Sequence, residues 1–299
     1  MWRVLLFGLL WWCTLAQAGA AAMTYVYPPP ESGADRRMDY YWELMRAALE
    51  ATEAQWGPFV LEPSGMVMNA DRSQILLSNA ETITTLVRVT SRERERIMRP
   101  VRIPLDKGLT GYRLFLIRQQ AQPALDKVRS LDDLRRFTIG QGSNWVDTKV
   151  LRAAGFMVET APAYESLFHM LDAGRFDLFS RGINEISREL NDRRSVFTNL
   201  AIESHLLLYY PLPRYYFFAP TAQGERLAQR VEEGLNLLMR NGQFERMYRE
   251  FKRQILAGLD LSGRRLFRLE NPELPPQTPL NRSELWDNLA VERQSSLPR

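Results

Sequence analysis

The sequence predicts an α/β fold in which mainly parallel sheets are covered by helices on both faces. Short apolar strands alternate with helices of about 8–15 residues along most of the chain. Turn and stop signals separate these segments, and glycine, alone or next to asparagine or proline, closes helices. These stop signals are Gly57-Pro58, Gly155, Gly174 and Asn241-Gly242.

The first part of the chain opens with a strand at 24–27, which the prolines at 28–30 end because proline cannot continue a strand ladder. An amphipathic helix is predicted over 39–55 on the helical spacing of its apolar residues. Further strands are predicted at 59–61, 84–90 and 111–117, and a second helix at 69–78.

The middle and later segments repeat this alternation. Helices are predicted at 130–134, 147–153, 164–173, 223–240 and 243–254, and strands at 137–140, 176–179 and 215–218. A long apolar segment covers 198–210. From residue 256 onwards the chain has little periodicity and carries prolines at 272, 275, 276 and 279. We interpret this end as an extended tail packed along the surface and disordered in part at its end.

The N-terminus is typical of a secretory signal peptide. Arg3 precedes an apolar run from Val4 to Leu15, and small residues follow it. The run is about 12 residues long, short of the roughly 20 that a spanning helix needs. We therefore predict a signal peptide over residues 1–22, cleaved after Ala18 or Ala22, and an exported, periplasmic protein.

Cysteine content and net charge exclude several classes. The one cysteine, Cys13, lies inside the predicted signal after two tryptophans, unlike a lipoprotein cysteine, which follows small residues. The exported chain would then contain neither disulfides nor thiolate chemistry. A balance of 39 basic against 35 acidic residues is too even to indicate a nucleic acid or an anionic membrane as partner.

Four segments in order resemble the family 3 extracellular solute-binding proteins, the amino-acid-type receptors of ABC importers. They are Ser130-Leu131-Asp132-Asp133-Leu134, Thr138 to Ser143, Ala173-Gly174-Arg175-Phe176-Asp177, and Gly234-Leu235 with Asn241-Gly242-Gln243-Phe244. The resemblance is good over about 80–255, loose over 24–80 and absent from the tail. It implies the type II periplasmic-binding fold, two α/β lobes joined by a hinge of two crossing segments around an interlobe cleft.

On this resemblance the chain divides into lobe 1 at 23–113 and 205–257, lobe 2 at 114–204, and a C-terminal tail at 258–299. The crossings are expected near 114–118 and 197–204. Ligands in such sheets lie beyond the carboxyl ends of the strands, where loops of both lobes face one another.

The family holds a ligand carboxylate with an arginine in a Ser/Thr-x-x-Arg segment, and Ser91-Arg92-Glu93-Arg94 matches that place. A planar guanidinium binds a carboxylate through two parallel hydrogen bonds, and Ser91 can cap the helix and donate to the same anion. The resemblance therefore implies ligand roles for Ser91 and Arg94. The alternative is a solvated, salt-bridged helix face over 92–96.

A second candidate follows the strand at 137–140, where Gly142, Ser143, Asn144 and Trp145 open a helix and can direct backbone N–H groups at the cleft. The alternative is an ordinary strand-to-helix turn. Tyr27, at the end of the first strand, is expected to line the pocket, whereas the aromatic run 215–218 is expected in the core.

One departure from the family concerns the ligand ammonium. The family places an aspartate five residues after the aspartate of the Gly-Arg-x-Asp segment, but counting from Asp177 reaches Gly182, next to Arg181. A standard α-amino acid is therefore not expected. Arg181 is either a second arginine for an anion with more than one acidic group, or an i,i+4 partner of Glu185. We include both residues among the candidate ligand contacts.

An enzyme is not expected, because after the signal the only histidines are His169 and His205 and neither a Gly-x-Ser-x-Gly elbow nor a His-Glu-x-x-His helix occurs. The sequence predicts a monomer that needs no cofactor or metal and captures a small polar, carboxylate-bearing solute by lobe closure. Its partner is expected to be an inner-membrane ABC permease. The alternative is a membrane sensor that the same lobe closure regulates.

Overall fold

The computed structural model describes residues 21–30 and 36–294. The predicted signal peptide, except for Ala21 and Ala22, lies outside the described residues, as do Cys13 and the end of the tail at 295–299.

Strands and helices alternate as predicted. The strands are β1 Met23–Tyr27, β2 Phe59–Pro63, β3 Thr85–Val89, β4 Arg99–Val101, β5 Tyr112–Arg118, β6 Ile139–Gly142, β7 Val158–Ala161, β8 Leu178–Gly182, β9 Leu200–Ile202, β10 Leu206–Tyr209, β11 Arg214–Phe218 and β12 Arg265–Arg268. The helices are α1 Asp39–Ala51, α2 Glu53–Trp56, α3 Ala70–Ser78, α4 Arg92–Ile97, α5 Gln122–Leu125, α6 Leu131–Leu134, α7 Val146–Ala153, α8 Tyr164–Asp172, α9 Ile186–Arg193, α10 Ala222–Arg240, α11 Gln243–Ile255 and α12 Ala290–Gln294.

Local signals in the sequence explain several element ends. The Asn69 side chain accepts the Arg72 amide at the start of α3, and Thr221 accepts the Gly224 amide at the start of α10. Ser130 and Asp133 form a reciprocal capping box at α6. Gly242, with φ of 75°, separates α10 from α11, since a left-handed residue costs glycine little.

The first lobe contains the parallel pair β1-β2 and a sheet of order β3-β11-β4. The Thr84 amide donates to the Val26 carbonyl at 2.9 Å and joins the two sets of strands. One face packs under α1, α10 and α11, and the other packs under α3 with Leu77, Leu86 and Phe217 buried.

Contact between α1 and α10 depends on Gly234. A Cβ at this position would lie 2.2 Å from the backbone oxygen of Ala48, so a larger residue has to displace a helix backbone. We expect Gly234→Ala to lower the free energy of unfolding by about 1–3 kcal/mol, measured by urea denaturation. A loss below about 0.5 kcal/mol would contradict this close helix approach. The matched control is Gly65→Ala, because a Cβ at Gly65 has no neighbouring atom within 4 Å. Gly258 is unsuitable as a control because its positive φ would add backbone strain.

The second lobe is built on a sheet that, among the described residues, has seven strands in the order β12-β10-β5-β8-β6-β7, with β9 also paired to β5. β6 runs parallel to β7 and β8, whereas β5 runs antiparallel to β8 and β10. Helix α7 covers one face of this sheet, and α8 and α9 contribute buried residues to the other. The segment that follows β8 contacts the first lobe, where Glu185 meets Arg214.

The pairing of β5 with β10 moves the positions where the chain passes between lobes. Tyr112 lies opposite Tyr209 and Arg113 opposite Leu208 in one sheet. This pairing favours crossings outside 114–118 and 197–204, the positions predicted from the sequence. We propose that lobe 2 extends from 112 to 209, and that the crossings are 102–111 and 210–213. The sequence does not decide this choice, because a short apolar strand such as β10 has the same pattern in either lobe.

The described part of the tail contains regular secondary structure and packs on the rest of the molecule. β12 extends the second lobe's sheet by pairing parallel to β10, and the short helix α12 follows near the end of the described chain. Five leucines of the described part of the tail are buried, namely Leu261, Leu269, Leu274, Leu285 and Leu289. The tail is therefore a packed part of the molecule up to residue 294.

Candidate functional site

A cavity of about 980 Å³ lies between the two lobes. The first lobe lines it with the start of α1, with α11 and with Arg214. The second lobe lines it with α9 and the residues that link β8 to α9, among them Asn184 and Glu185. This volume is at the upper end of the roughly 300–1,000 Å³ typical of small-molecule pockets.

An ion pair across the lobes lies on the cavity wall. Arg214, the first residue of β11, directs Nη2 at Glu185 Oε1 in the second lobe over 3.2 Å. Its Nε donates to Thr110 Oγ1 at 2.9 Å, and its guanidinium lies 5.9 Å from the Tyr41 ring. Two opposite charges thus face each other from different lobes inside a cavity. A solute with an anionic group can compete with Glu185 for Arg214.

Arg181 lies behind this pair and is almost fully buried. Its Nη2 donates to Glu185 Oε2 at 3.0 Å and its Nε to Glu189 Oε2 at 2.6 Å. The guanidinium also stacks over the rings of Trp145 and Phe179 at 4.8 and 5.0 Å. The Arg181–Glu185 pair considered as an alternative is therefore present. It leaves Arg181 as the residue that orients Glu185.

Four arginines depress the pKa of Glu185. Burial alone would raise this pKa, but the charges of Arg181, Arg214, Arg113 and Arg37 outweigh burial and lower it from 4.5 to about 2. A carboxyl whose pKa is lower in the folded than in the unfolded protein stabilises the fold above the unfolded value. Glu185 thus remains ionised at neutral and mildly acidic pH.

This pKa predicts an acid-labile contribution to stability. The stabilisation by ionised Glu185 is complete above about pH 4.5 and is lost as the pH falls towards 2. We expect the free energy of unfolding to decrease by roughly 3 kcal/mol more in the wild type than in Glu185→Gln over this range. Urea denaturation at several pH values between 5.5 and 2.5 measures the difference. Identical pH slopes for the two proteins would contradict it.

The predicted Ser91 and Arg94 pair is engaged inside the first lobe. The Ser91 hydroxyl accepts the Arg94 amide and caps α4. Arg94 donates through Nε to Gln74 Oε1 at 2.9 Å and through Nη1 to the Val89 carbonyl at 2.8 Å. These bonds hold the guanidinium against its own lobe. The role of both residues towards a solute stays a prediction.

The turn at 142–145 also packs on its own lobe. A Cβ on Gly142 would lie 2.4 Å from the Trp145 indole, so the indole covers this glycine. Ser143 and Asn144 are exposed in the turn before α7.

Tyr27, another predicted contact, stacks on Trp42 with ring centroids 4.3 Å apart. Of the nine predicted contacts, Glu185 lines the cavity described above, and the other eight lie outside its lining.

A buried charge pair forms the second lobe's side of the hinge. Arg113 Nη2 lies 2.9 Å from Asp147 Oδ1, and the Tyr210 hydroxyl donates to the same oxygen at 2.5 Å. Tyr210 belongs to the second crossing. Neither this pair nor Arg214 was among the sequence candidates.

One group of possible metal ligands occurs in the described part of the chain, comprising Asp126, Glu203 and His205. Glu203 is fully buried and already accepts the amides of His205 and Leu206 and the Gln122 side chain. These bonds shape the turn between β9 and β10, so we assign the group a structural role.

Comparison with solved structures identifies the fold. One match is a histidine kinase sensor domain with similarity to periplasmic binding proteins, with a TM-score of 0.54 and 18% identity, covering 77% of this chain and 96% of that chain. An ancestral arginine-binding protein bound to arginine matches with a TM-score of 0.53, 14% identity and coverage of 78% and 99%. An ancestral amino-acid-binding protein, described as a precursor of cyclohexadienyl dehydratase, matches with a TM-score of 0.52, 11% identity and coverage of 77% and 95%.

These likenesses confirm the predicted α/β, two-lobed fold class. The expectation of mainly parallel sheets is wrong, because five of the nine strand pairs among the described residues are antiparallel. The chain has the type II periplasmic-binding-protein fold, with two α/β lobes, a hinge and an interlobe cleft. No family model and no curated protein sequence matches the chain. No helix in the described part of the chain combines the length and the apolar character that a membrane crossing requires.

Proposed function

We propose that this protein is a periplasmic solute receptor, and not an enzyme, that captures a small polar, carboxylate-bearing solute by closing its lobes. The observation that carries the proposal is the Arg214–Glu185 pair, which joins the lobes on the wall of the interlobe cavity. The fold shared with solute-binding proteins supports the same function.

Arg214 is the group best placed to bind the solute carboxylate. Its guanidinium is planar and remains charged, which suits a bidentate bond to a carboxylate. Burial works against the charged form of Arg214, but nearby Tyr41, Glu185 and Asp106 raise its pKa overall. Glu185 and the Asn184 side chain remain on the opposite wall for a donor group of the solute.

Lobe closure follows from the position of these groups on different lobes. A solute that contacts both Arg214 and the β8–α9 residues has more contacts in the closed than in the open form. It therefore shifts the population towards the closed form by that difference in affinity. An inner-membrane ABC permease is the partner we propose for the closed form.

A second candidate function is the regulation of a membrane signalling partner. The specific observation that favours it is the match to a histidine kinase sensor domain. Solute capture in the cavity is the same in both cases, and the partner differs.

A thermal-shift screen of the purified protein tests solute capture. Amino acids, dicarboxylates and other small anions are added separately at neutral pH. A solute at 100 times its dissociation constant should stabilise the fold by about 2.7 kcal/mol. A positive result for a carboxylate supports the proposal. If no carboxylate shifts the unfolding transition while another chemical class does, the proposed solute class is wrong.

A further inference from the structure

The C-terminal tail contacts both lobes, and none of its described residues lines the cavity. Its first anchor lies in the second lobe. Arg264, which is buried, donates from Nη1 to the carbonyls of Glu203 and Leu206 at 2.6 and 3.0 Å. β12 then pairs with β10, and the Leu269 amide donates to the Tyr209 carbonyl at 2.8 Å. The tail therefore reaches the second crossing as part of the second lobe.

The residues from Asn271 to Glu273 contact both lobes and the second crossing. Asn271 Nδ2 donates to the Pro211 carbonyl at 2.8 Å. The Glu273 carbonyl accepts the amide of Arg92 in the first lobe at 2.9 Å. The Glu273 carboxylate lies 3.2 Å from Lys149 Nζ on α7 of the second lobe. Asn271 Oδ1 accepts the Glu273 amide at 2.9 Å and fixes this turn.

The last part of the tail covers the first crossing. The Trp286 ring lies so close to Gly108 that a Cβ there would be 2.5 Å away. The Asp287 amide donates to the Lys107 carbonyl at 2.8 Å, and the Tyr112 hydroxyl donates to the Asp287 carbonyl at 3.1 Å. The Asp287 carboxylate binds Lys252 Nζ of α11 at 2.7 Å. Both crossings of the hinge are thus held by one segment.

We propose that residues 264–289 form a strap that holds the lobes together across the hinge and limits how far the cleft opens. Opening on the strap side has to break bonds from Asn271 and Glu273 to groups on different bodies, whereas none of the described residues that line the cavity at α1 and α9 belongs to the strap. Solute consequently enters from the α1–α9 side. The inference deepens the proposed function, because the strap regulates the same cleft.

The test measures the lobes without any solute, so that its outcome is independent of solute capture. Cysteines introduced at Glu62 in β2 and Glu159 in β7, both exposed, carry spin labels on the full chain after export, and pulsed electron resonance gives the interlobe distance distribution. The strap variant is Asn271→Ala with Glu273→Ala. The matched control is Glu270→Ala, which changes an exposed glutamate of the same segment.

We expect the strap variant to have a longer mean distance and a broader distribution than the wild type, and the control to match the wild type. The Arg92 amide should also exchange with solvent roughly tenfold faster in the strap variant. Faster hydrogen exchange at the Arg92 amide with an unchanged interlobe distance distribution would overturn the proposal. In that case the segment would detach from the first lobe without any change in how far the lobes open.

A conservative variant keeps the proposal testable if the double variant does not fold. Asn271→Asp preserves the side-chain shape and the acceptor for the Glu273 amide but removes the donor to Pro211. The same lengthening, smaller in size, is expected. An unchanged interlobe distance in Asn271→Asp would also overturn the proposal that the strap limits opening.

Discussion

Arg181→Met is expected to lower the free energy of unfolding at pH 7 by about 3–5 kcal/mol, because it leaves the buried Glu189 carboxylate without its main partner. Arg181 binds Glu189 in the folded protein at 2.6 Å, and both side chains are largely shielded from water. Methionine supplies an apolar side chain of comparable length, so the loss measures mainly the uncompensated charge. Urea denaturation followed by circular dichroism gives the value.

The double variant Arg181→Met with Glu189→Met separates charge from packing. Replacement of a complete buried pair by apolar residues is often neutral or stabilising, so the double variant should recover most of the loss. Arg249→Met is the control, since Arg249 forms an exposed pair with Glu245 and surface pairs contribute about 0–1 kcal/mol. A decrease in the free energy of unfolding of less than about 1 kcal/mol for Arg181→Met would show that the Arg181–Glu189 pair does not stabilise the fold.

Arg214→Gln is expected to weaken binding of the carboxylate found in the screen by about 30- to 1,000-fold, which corresponds to about 2–4 kcal/mol. The change removes the charge and the planar donor pair that face the cavity. Glu185 retains Arg181 as a partner, so the fold should persist. Isothermal titration calorimetry of the wild type and the variant measures the ratio of dissociation constants.

Two further variants decide where the carboxylate binds. Arg102→Gln makes the same charge change at the arginine that begins the first crossing and pairs with Glu95, and it should leave affinity within about threefold. Arg94→Gln should behave likewise, because Arg94 donates to Gln74 and Val89. If Arg214→Gln bound the carboxylate normally and Arg94→Gln lost binding, the carboxylate would be assigned to the Ser91–Arg94 segment predicted from the sequence.

Much of the fold was predictable because its signals are local. The spacing of Tyr41, Leu44 and Ala48 predicts α1, and the Ser130 box and Gly242 mark helix ends as the structure has them. The position of β10 was not predictable in this way. Its four residues are apolar in either lobe, and only the pairing with β5 decides the sheet.

The candidate site was predictable only in part, because it depends on contacts between distant segments. Glu185 was identified from the sequence as the i,i+4 partner of Arg181. Arg214 was not, since the pattern of its strand predicts core packing for 215–218 and gives no hint that the preceding residue faces Glu185 across the lobes. The tail was missed for a related reason. Its bonds to Lys107, Arg92 and Pro211 join residues at least 60 positions apart.

The interlobe distance with and without solute is the most direct measurement of lobe closure. The one cysteine of the sequence is Cys13, within the predicted signal, so labels at positions 62 and 159 are specific after export. Addition of the carboxylate selected by the screen should shorten and narrow the distance distribution in the wild type, and should leave it unchanged in Arg214→Gln. A solute that binds without changing the wild-type distribution would contradict capture by lobe closure.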